Sequence, residues 1–363
     1  MDNKNSIIAI LVLAALLFSL FTVFSSSEWS LKTSARSAML YCPENDEILY
    51  AKNESMRLPM ASTTKIMTAL VAIENCNLSD EITISPEAVG IEGSSAYLRA
   101  HDTYTLEELL YALLLQSAND AAVAISLAVC DSTDEFVALM NERAVRLGAY
   151  NTSFSNPSGL DDEDHYTTAS DLSKIAAAAL SNDIFSKIVK SEAKTITSDE
   201  GTVRSFKNHN KLLYKYEDCI GVKTGYTKKS GRCLVGAAER DGLTLITVTL
   251  DDSDDWNDHI KMLDYGFSIR QKILLAKKNE IKASLPVISG TNDNVTATNI
   301  EEIYAVVPKT KETIKHEIII PKYLIAPLSN GERVGEVVFS LSSTEIASAP
   351  LYIEMGVKYK NKK

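Results

Sequence analysis

The sequence predicts an α+β domain followed by a small all-β domain. Three observations support this prediction. Strand patterns at residues 37–51 precede a mostly helical stretch that ends near residue 195, and three more strand patterns follow from residue 219. Strands, then helices, then strands are typical of one α+β domain whose first and last strands share a sheet. After residue 275, short β-rich segments alternate with Asn, Gly and Pro turns, which indicates a β-domain.

Hydrophobic periodicity and turn signals predict the elements of the first domain. Ser37–Tyr41 and Glu47–Ala51 flank a turn and form a hairpin. Apolar residues at helical spacing after Pro59 predict a helix, and Thr105 caps the next one. The remaining predicted helices are Thr105–Leu115, Asn119–Val129, Asp134–Gly148, Ala169–Leu180 and Asp258–Gln271. The predicted strands of the later meander are Cys219–Thr227, Arg232–Glu239 and Leu243–Leu250.

The predicted β-domain consists of short strands separated by turns. Its strands are Ile303–Val307, Glu317–Ile320, Val334–Phe339 and Leu351–Glu354. The tail that follows, Lys358–Lys363, is basic but lacks the apolar face of an amphipathic membrane helix.

The N-terminus carries an export segment. The apolar run from Ile7 to Phe24 has 18 residues and is followed by Ser25–Ser27, small residues that suit a cleavage site. Its length also suffices to span a bilayer, so residues 1–27 are predicted to be either a signal peptide or an N-terminal membrane anchor. In both cases the rest of the chain works outside the cytoplasm.

Composition excludes several classes of function. The formal net charge of −11 argues against a nucleic-acid partner, because phosphate binding needs clustered Lys and Arg. The five His residues lie far apart, and there is no H-E-x-x-H, C-x-x-C or G-x-x-x-x-G-K-[ST] motif. No metal or other cofactor is therefore predicted. Five Cys residues at irregular spacing do not indicate a disulfide framework and are interpreted as small buried hydrophobes.

Ser62-Thr63-Thr64-Lys65 forms an S-x-x-K motif at a predicted helix start. Residues i and i+3 share a helix face, so Lys65 can hydrogen-bond the Ser62 hydroxyl. Burial that lowers the pKa of a lysine from about 10.4 would let it take the serine proton and activate the nucleophile. The helix start also favours a developing anion. A second match, Ser191–Lys194, does not precede a long apolar helix and is interpreted as chance.

Ser117 and Asn119 form an S-x-N pattern in the break between two predicted helices. The serine hydroxyl could relay a proton, and the asparagine amide offers a donor and an acceptor to a substrate amide. By itself the pattern also fits an ordinary helix cap.

Lys223-Thr224-Gly225 lies on the first strand of the meander. A strand beside a helix start can hold a peptide by backbone pairing, and Lys223 and Thr224 can bind a carboxylate. Gly225 removes a side chain that would block close approach. Lys229–Gly231 fits the same pattern but occupies the turn and is rejected.

The three motifs, in this order, resemble those of the penicillin-binding and serine β-lactamase superfamily. More closely, the sequence resembles the low-molecular-mass penicillin-binding proteins that are serine-type D-alanyl-D-alanine carboxypeptidases, the peptidase S11 family. Residues 35 to about 270 carry the resemblance, and residues 325–335 are similar to the β-rich C-terminal domain of the family. The segments that carry the resemblance are Ala35–Ala38, Leu58–Thr68, Gly93–Leu98, Gln116–Ala121, Asn156–Leu160, His165–Ala169 and Gly221–Thr227.

The resemblance implies a β-lactamase/transpeptidase-like catalytic domain at residues 28–274, followed by the β-domain at residues 275–363. The catalytic domain would have an antiparallel sheet with helices on both faces and a helical subdomain. Anchoring would fall to residues 7–24, because the amphipathic C-terminal helix of many relatives has no counterpart here. The expected location is the cell wall or the outer face of the cytoplasmic membrane.

The resemblance also implies roles for the motif residues. Ser62 would be the acylated nucleophile and Lys65 its base, while Ser117 would move the proton. The Asn119 amide is expected to bind the substrate amide, and Lys223 and Thr224 the terminal carboxylate. The N–H groups of Ser62 and Tyr226 are expected to bind the oxyanion. Gly225 is also expected to belong to the substrate-binding residues. His209 lies where some relatives carry Arg, so its part in binding the carboxylate stays open.

The expected function is removal of the terminal D-alanine from peptidoglycan stem pentapeptides through an acyl-enzyme, with β-lactams as covalent inhibitors. Three alternatives stay open. A β-lactamase would need a deacylating Glu, but there is no E-x-x-x-N pattern between the second and third motifs. D,D-endopeptidase activity would use the same site. A non-catalytic wall-binding protein would bind the peptide without cleaving it.

Overall fold

The computed structural model describes residues 31–360. The predicted signal peptide or anchor, residues 1–27, lies outside the described residues. No helix in the described part is long and apolar enough to cross a bilayer.

Up to residue 269, the described chain has eight α-helices and nine strands. The helices are α1 Lys65–Asn75, α2 Leu106–Leu115, α3 Asn119–Val129, α4 Thr133–Arg146, α5 Ala169–Leu180, α6 Asp183–Lys190, α7 Leu212–Lys215 and α8 Asp255–Ile269. The strands are β1 Ser37–Cys42, β2 Glu47–Lys52, β3 Glu81–Thr83, β4 Thr103–Thr105, β5 Ala193–Thr197, β6 Val203–Lys207, β7 Cys219–Thr227, β8 Gly231–Arg240 and β9 Leu243–Leu250.

A five-stranded antiparallel sheet in the order β2-β1-β9-β8-β7 forms the centre of this domain. The first strand pairs with the last, with Ser37 opposite Leu250 and Tyr41 opposite Ile246. The prediction that the terminal strands share a sheet is therefore confirmed. This order leaves β7 at the edge of the sheet.

Helices cover both faces of the sheet, as expected. Side chains alternate between the faces of a strand, so Met39 and Leu40 on β1 point in opposite directions. Met39 contacts Ser173 of α5. Leu40 lies on the other face, close to Gly266 of α8. Helices α1 to α4 form the helical subdomain, whose apolar side chains join the same core as α5 and α6.

The structure differs from the predictions mainly at short elements. The hairpin β5–β6 and helix α6 were not predicted, because these elements are only five to eight residues long and a short apolar segment fits either a helix or a strand. Helix α8 begins three residues before the predicted Asp258, and its end at Ile269 leads directly into a strand. Asp255 opens the helix because its carboxylate is buried against Arg232 instead of facing solvent.

From Arg270 to Lys360 the only helices or strands are β-strands, whereas the β-rich part was predicted to start after about residue 275 and a helix was predicted to run to Gln271. Its strands are β10 Arg270–Ala276, β11 Lys282–Ile288, β12 Asn294–Thr298, β13 Ile303–Pro308, β14 Lys315–Ile319, β15 Leu324–Ile325, β16 Arg333–Leu341 and β17 Thr344–Ile353. Six of them form a sheet in the order β14-β16-β17-β12-β11-β15, and β10 pairs with β13. This part has its own hydrophobic core, which includes Leu285, Val337 and Leu351.

A buried histidine under the sheet makes stability sensitive to acid. His259 of α8 lies between the Thr247 and Thr249 hydroxyls at 2.6 and 3.0 Å. Burial lowers the pKa of His259 from 6.5 to about 3, so below pH 6.5 the unfolded chain binds one more proton than the folded chain. Stability from this group is complete above pH 6.5 and is lost as the pH falls towards 3.

We expect His259→Gln to flatten the acid dependence of unfolding. Urea titrations between pH 6 and pH 4 give the free energy of unfolding at each pH. This free energy should fall more steeply with decreasing pH in the wild type than in the variant, by about 1.4 kcal/mol per pH unit. His165 has a pKa lowered to about 4 by burial and contributes a similar slope to both proteins. Equal slopes for the two proteins would contradict this assignment.

Candidate active site

Ser62 lies on a tight turn at the start of α1. Residues Ala61–Thr64 form a 3₁₀ turn, and Lys65 opens the α-helix. Ala61 adopts a left-handed backbone conformation with φ of 46°, which turns the chain sharply before the serine. The Thr63 and Thr64 hydroxyls donate to the carbonyls of Met60 and Ala61, both at 2.7 Å, and so close the turn. The predicted nucleophile is thus held rigidly at a helix start.

The Lys65 amine has three partners. Its Nζ lies 3.0 Å from Ser62 Oγ and donates to Asn119 Oδ1 at 2.7 Å and to the Ser158 carbonyl. The last two groups only accept hydrogen bonds, so in the neutral amine they occupy both N–H bonds. The remaining lone pair then faces the Ser62 hydroxyl. Burial, followed by the nearby Lys223 charge, lowers the pKa of Lys65 well below its ordinary value, which favours this neutral form.

Ser117 and Asn119 lie across the site from Ser62. Ser117 occupies the break between α2 and α3 with φ of 62°, and its Oγ accepts a hydrogen bond from Lys223 Nζ at 3.0 Å. The Asn119 amide nitrogen donates to the Glu92 carbonyl at 2.5 Å. Asn119 therefore joins Lys65 to the loop before α2 and keeps one free lone pair on Oδ1. The helix-cap interpretation does not apply, since Ala118 precedes α3 and no side chain caps it.

The third motif lies on the edge strand β7. Lys223 is fully buried, and burial lowers its pKa to about 7. Thr224 lines the cleft, while Tyr226 is 66% exposed. A Cβ atom on Gly225 would lie 3.1 Å from the backbone nitrogen of Ser62. Gly225 therefore lets β7 approach the turn Ala61–Thr64, called the nucleophile turn below. The glycine was predicted to make room for a substrate, whereas the structure shows that it makes room for this turn.

One open cleft of about 460 Å³ is lined by residues of all three motifs, namely Ser62, Ser117, Thr224 and Gly225, and by Tyr226. Besides the motif residues, the cleft is lined by His209, Ser94, Arg232 and Trp256. Burial and the Lys223 charge lower the pKa of His209. Among the described residues, no group of three or more His, Cys, Asp or Glu side chains is placed to hold a metal ion.

Arg232 also lines the cleft, although it was not among the predicted site residues. Arg232 follows the turn of the meander and lies opposite Tyr226 in the β7–β8 register. Its guanidinium binds the Asp255 carboxylate through two nitrogens, at 3.0 and 2.5 Å, and lies over the Trp256 ring. The strand register alone could have placed it beside the third motif.

Loop 156–160 packs against the nucleophile turn. The Asn156 side-chain oxygen accepts hydrogen bonds from the backbone N–H groups of Ser158, Gly159 and Leu160. This fold of the loop aims the Ser158 carbonyl at Lys65. Asn156–Leu160 is one of the segments that carry the resemblance, but no role was predicted for it.

We expect Gly159→Ala to disturb the nucleophile turn. Gly159 has φ of +88°, and a Cβ atom there would lie 2.1 Å from the Ala61 carbonyl oxygen. Since displacements near 1 Å cost about 100-fold in rate, the acylation rate by a β-lactam should fall by about that factor. The matched control is Gly201→Ala, which has φ of +77° but no atom within 4 Å. Equal acylation rates in both variants would show that this close packing does not position Ser62.

Comparisons with known proteins agree with this geometry. Residues 23–254 match the family model described as D-alanyl-D-alanine carboxypeptidase, and residues 271–359 match that of the C-terminal domain of penicillin-binding protein 5. The chain is 31% identical over 334 residues to D-alanyl-D-alanine carboxypeptidase DacF of Bacillus subtilis, covering 89% of this chain and 86% of the relative. It is 37% identical over 242 residues to a D-alanyl-D-alanine carboxypeptidase of Streptomyces sp. strain K15, covering 61% and 83%.

Solved structures show the same fold. Penicillin-binding protein 5 from Haemophilus influenzae superposes with a TM-score of 0.72 at 27% identity, covering 90% of this chain and 98% of that one. The Streptomyces K15 DD-transpeptidase superposes with a TM-score of 0.61 at 34% identity, covering 66% and 98%. The family model spans more than half of the chain, and its three motifs meet in one cleft. The chain therefore belongs to the S11 family of D-alanyl-D-alanine carboxypeptidases.

Proposed function

We propose that this enzyme removes the terminal D-alanine from peptidoglycan stem pentapeptides through an acyl-enzyme on Ser62. The contact that carries the proposal is the buried Lys65 amine at 3.0 Å from Ser62 Oγ, with two acceptors on its other bonds. A neutral amine in this position is a base for the serine proton. β-Lactams would acylate the same oxygen and act as covalent inhibitors.

In the proposed acylation, Lys65 takes the Ser62 proton as Oγ attacks the carbonyl carbon of the penultimate D-alanine. The N–H groups of Ser62 and Tyr226 bind the oxyanion. The C–N bond then breaks, and the proton passes from Lys65 through Ser117 to the leaving amine. A water molecule hydrolyses the ester, with Lys65 again as the base, and restores the Ser62 hydroxyl.

Substrate binding is assigned to the edge strand and the residues that face it. Thr224 and the Lys223 ammonium would bind the terminal carboxylate, and the arriving negative charge favours the protonated form of Lys223. The free lone pair of Asn119 Oδ1 would accept a hydrogen bond from the substrate amide. Gly225 lets β7 lie against the nucleophile turn, so Lys223 and Thr224 on this strand stay close to Ser62.

We further propose that residues 28–274 are the catalytic domain and that residues 275–363 form a spacer or a platform for a partner. The enzyme would act outside the cytoplasm, in the cell wall or at the outer face of the cytoplasmic membrane. Residues 7–24 would export the chain or attach it to that membrane. N-terminal sequencing of the mature protein distinguishes a cleaved signal peptide from a retained anchor.

A D-alanine release assay tests the proposal. We expect release from a stem pentapeptide and lasting labelling by a fluorescent penicillin. Rapid turnover of the penicillin would instead indicate a β-lactamase. Cleavage of cross-linked muropeptides in preference to pentapeptide would indicate an endopeptidase, and peptide binding without release would indicate a wall-binding protein.

A further inference from the structure

The two helices that carry the site also share their other end. Helix α1 begins with Lys65 and α3 begins with Asn119, and the contact of 2.7 Å between these side chains places both helix starts side by side. Each helix has 11 residues, and the residue that follows each one is a cysteine, Cys76 or Cys130.

The two helices run in the same direction. The N–H groups of Leu106 and Glu107, at the start of α2, donate to carbonyls just beyond the end of α1. Helix α2 then returns to the site and ends next to Ser117, where the chain turns into α3. Helices α1 and α3 also pack against each other. With a rise of about 1.5 Å per residue, both climb about 16 Å and end at the same level.

The two cysteines have matching local geometry. Both have φ of −133°, with ψ of 161° for Cys76 and 162° for Cys130. Each backbone N–H donates to the carbonyl four residues earlier at 3.0 Å. Both side chains are half-buried and pack against the same hydrophobic core. The pKa of Cys130 is raised by burial, then by Glu135, Asp131 and Cys76.

The other three cysteines lie elsewhere. Cys42, Cys219 and Cys233 are buried on three strands of the central sheet, β1, β7 and β8. All five cysteines are free thiols in the structure. Sequence spacing gives no pairing, whereas the equal lengths of α1 and α3 place Cys76 and Cys130 at the same level, at the ends of two helices that pack against each other.

We propose that Cys76 and Cys130 form a disulfide bond in the exported enzyme. The inference rests on the extracytoplasmic location in the proposed function but not on its catalytic chemistry. Outside the cytoplasm, disulfides form and persist. The oxidant is a disulfide compound or protein. The Cys76 thiolate attacks it and releases one thiolate, then the Cys130 thiolate attacks the mixed disulfide and releases the second. Two electrons pass to the oxidant, which leaves as two thiols that take up the two protons.

The bond would cross-link the far ends of the helices whose near ends hold Lys65 and Asn119. Burial raises the pKa of both thiols, which makes them poor leaving groups and the disulfide resistant to exchange. The cross-link closes a loop of about 55 residues, which restricts the unfolded chain.

Alkylation and mass spectrometry test the proposal on the full chain. The protein is equilibrated with glutathione disulfide under native conditions, denatured, and alkylated without reductant. We expect three alkylated cysteines, Cys42, Cys219 and Cys233, and a cross-linked peptide that contains Cys76 and Cys130. After reduction all five should be alkylated. The melting temperature of the oxidised protein should exceed that of Cys76→Ser by on the order of 10 °C.

Three further variants make the outcome specific. Cys219→Ser should keep the cross-link, whereas Cys130→Ser should leave Cys76 open to alkylation. Ser62→Ala should form the same cross-link although it is inactive, so a failed disulfide and a failed catalytic assignment give different results. Alkylation of all five cysteines after oxidation, or a cross-link that joins another pair, would overturn the proposal.

Discussion

Ser62→Ala should abolish the acyl-enzyme and lower D-alanine release by about 10⁴- to 10⁶-fold. The expected loss is large because, in the proposed mechanism, the bond to the substrate carbon forms through Ser62 Oγ. In the variant, the Lys65 amine loses the hydroxyl that lies 3.0 Å away and has no proton to take. Labelling by a fluorescent penicillin measures formation of the acyl-enzyme. Release of D-alanine from a pentapeptide measures cleavage of the substrate.

The chain contains a matched control for this variant. Ser191 opens the second S-x-x-K match, but its hydroxyl donates to the Lys187 carbonyl on the surface, far along the chain from the other motifs. Ser191→Ala should retain the labelling and release of the wild type. Residual labelling of Ser62→Ala at the wild-type rate would exclude Ser62 as the nucleophile.

Lys65→Met should lower the acylation rate by about 10²- to 10⁴-fold while the protein stays folded, because methionine fills a similar volume without a base. The matched control is Lys194→Met. Lys194 ends the second motif match, and its amine lies 4.4 Å from the centre of the Tyr111 ring. Stopped-flow acylation by a β-lactam measures both variants.

The pH dependence of acylation separates a base from a structural lysine. In the wild type we expect kcat/KM to rise as Lys65 loses its proton, at a pKa well below the ordinary lysine value, and to fall as Lys223, with a pKa of about 7, loses the charge that binds the carboxylate. The two lysines are coupled, so the bell-shaped profile belongs to the pair. Lys65→Met should lose the rising limb. A rising limb that persists in this variant would contradict the role of Lys65.

Elements with strong local signals were predictable from the sequence. Thr105 and Glu108 form a capping box, and α2 begins at the next residue after Thr105. Helices α3 and α5 and strands β7 and β9 have the predicted limits, because clear periodicity and turn residues mark both ends. The three motifs were also recognised by spacing and order before any contact was known.

The supporting contacts could not be predicted, since they join residues far apart in the chain. The Ser158 carbonyl meets Lys65 across 93 positions, and Lys223 meets Ser117 across 106. No local pattern encodes such pairs. The close fit of Gly159 and Gly225 against the nucleophile turn is likewise a property of packing. The motif residues were therefore predictable from the sequence, whereas the contacts that orient them depend on the fold.

The most direct test of the central claim is to locate the acyl group. The enzyme is mixed with a peptide ending in D-Ala-D-Ala or with a penicillin, quenched in acid, digested and mapped by mass spectrometry. We predict one acylated peptide, which contains Leu58–Thr68 and carries the adduct on Ser62, together with release of D-alanine from the peptide substrate. An adduct on a different residue, or D-alanine release without any trapped adduct, would contradict the account.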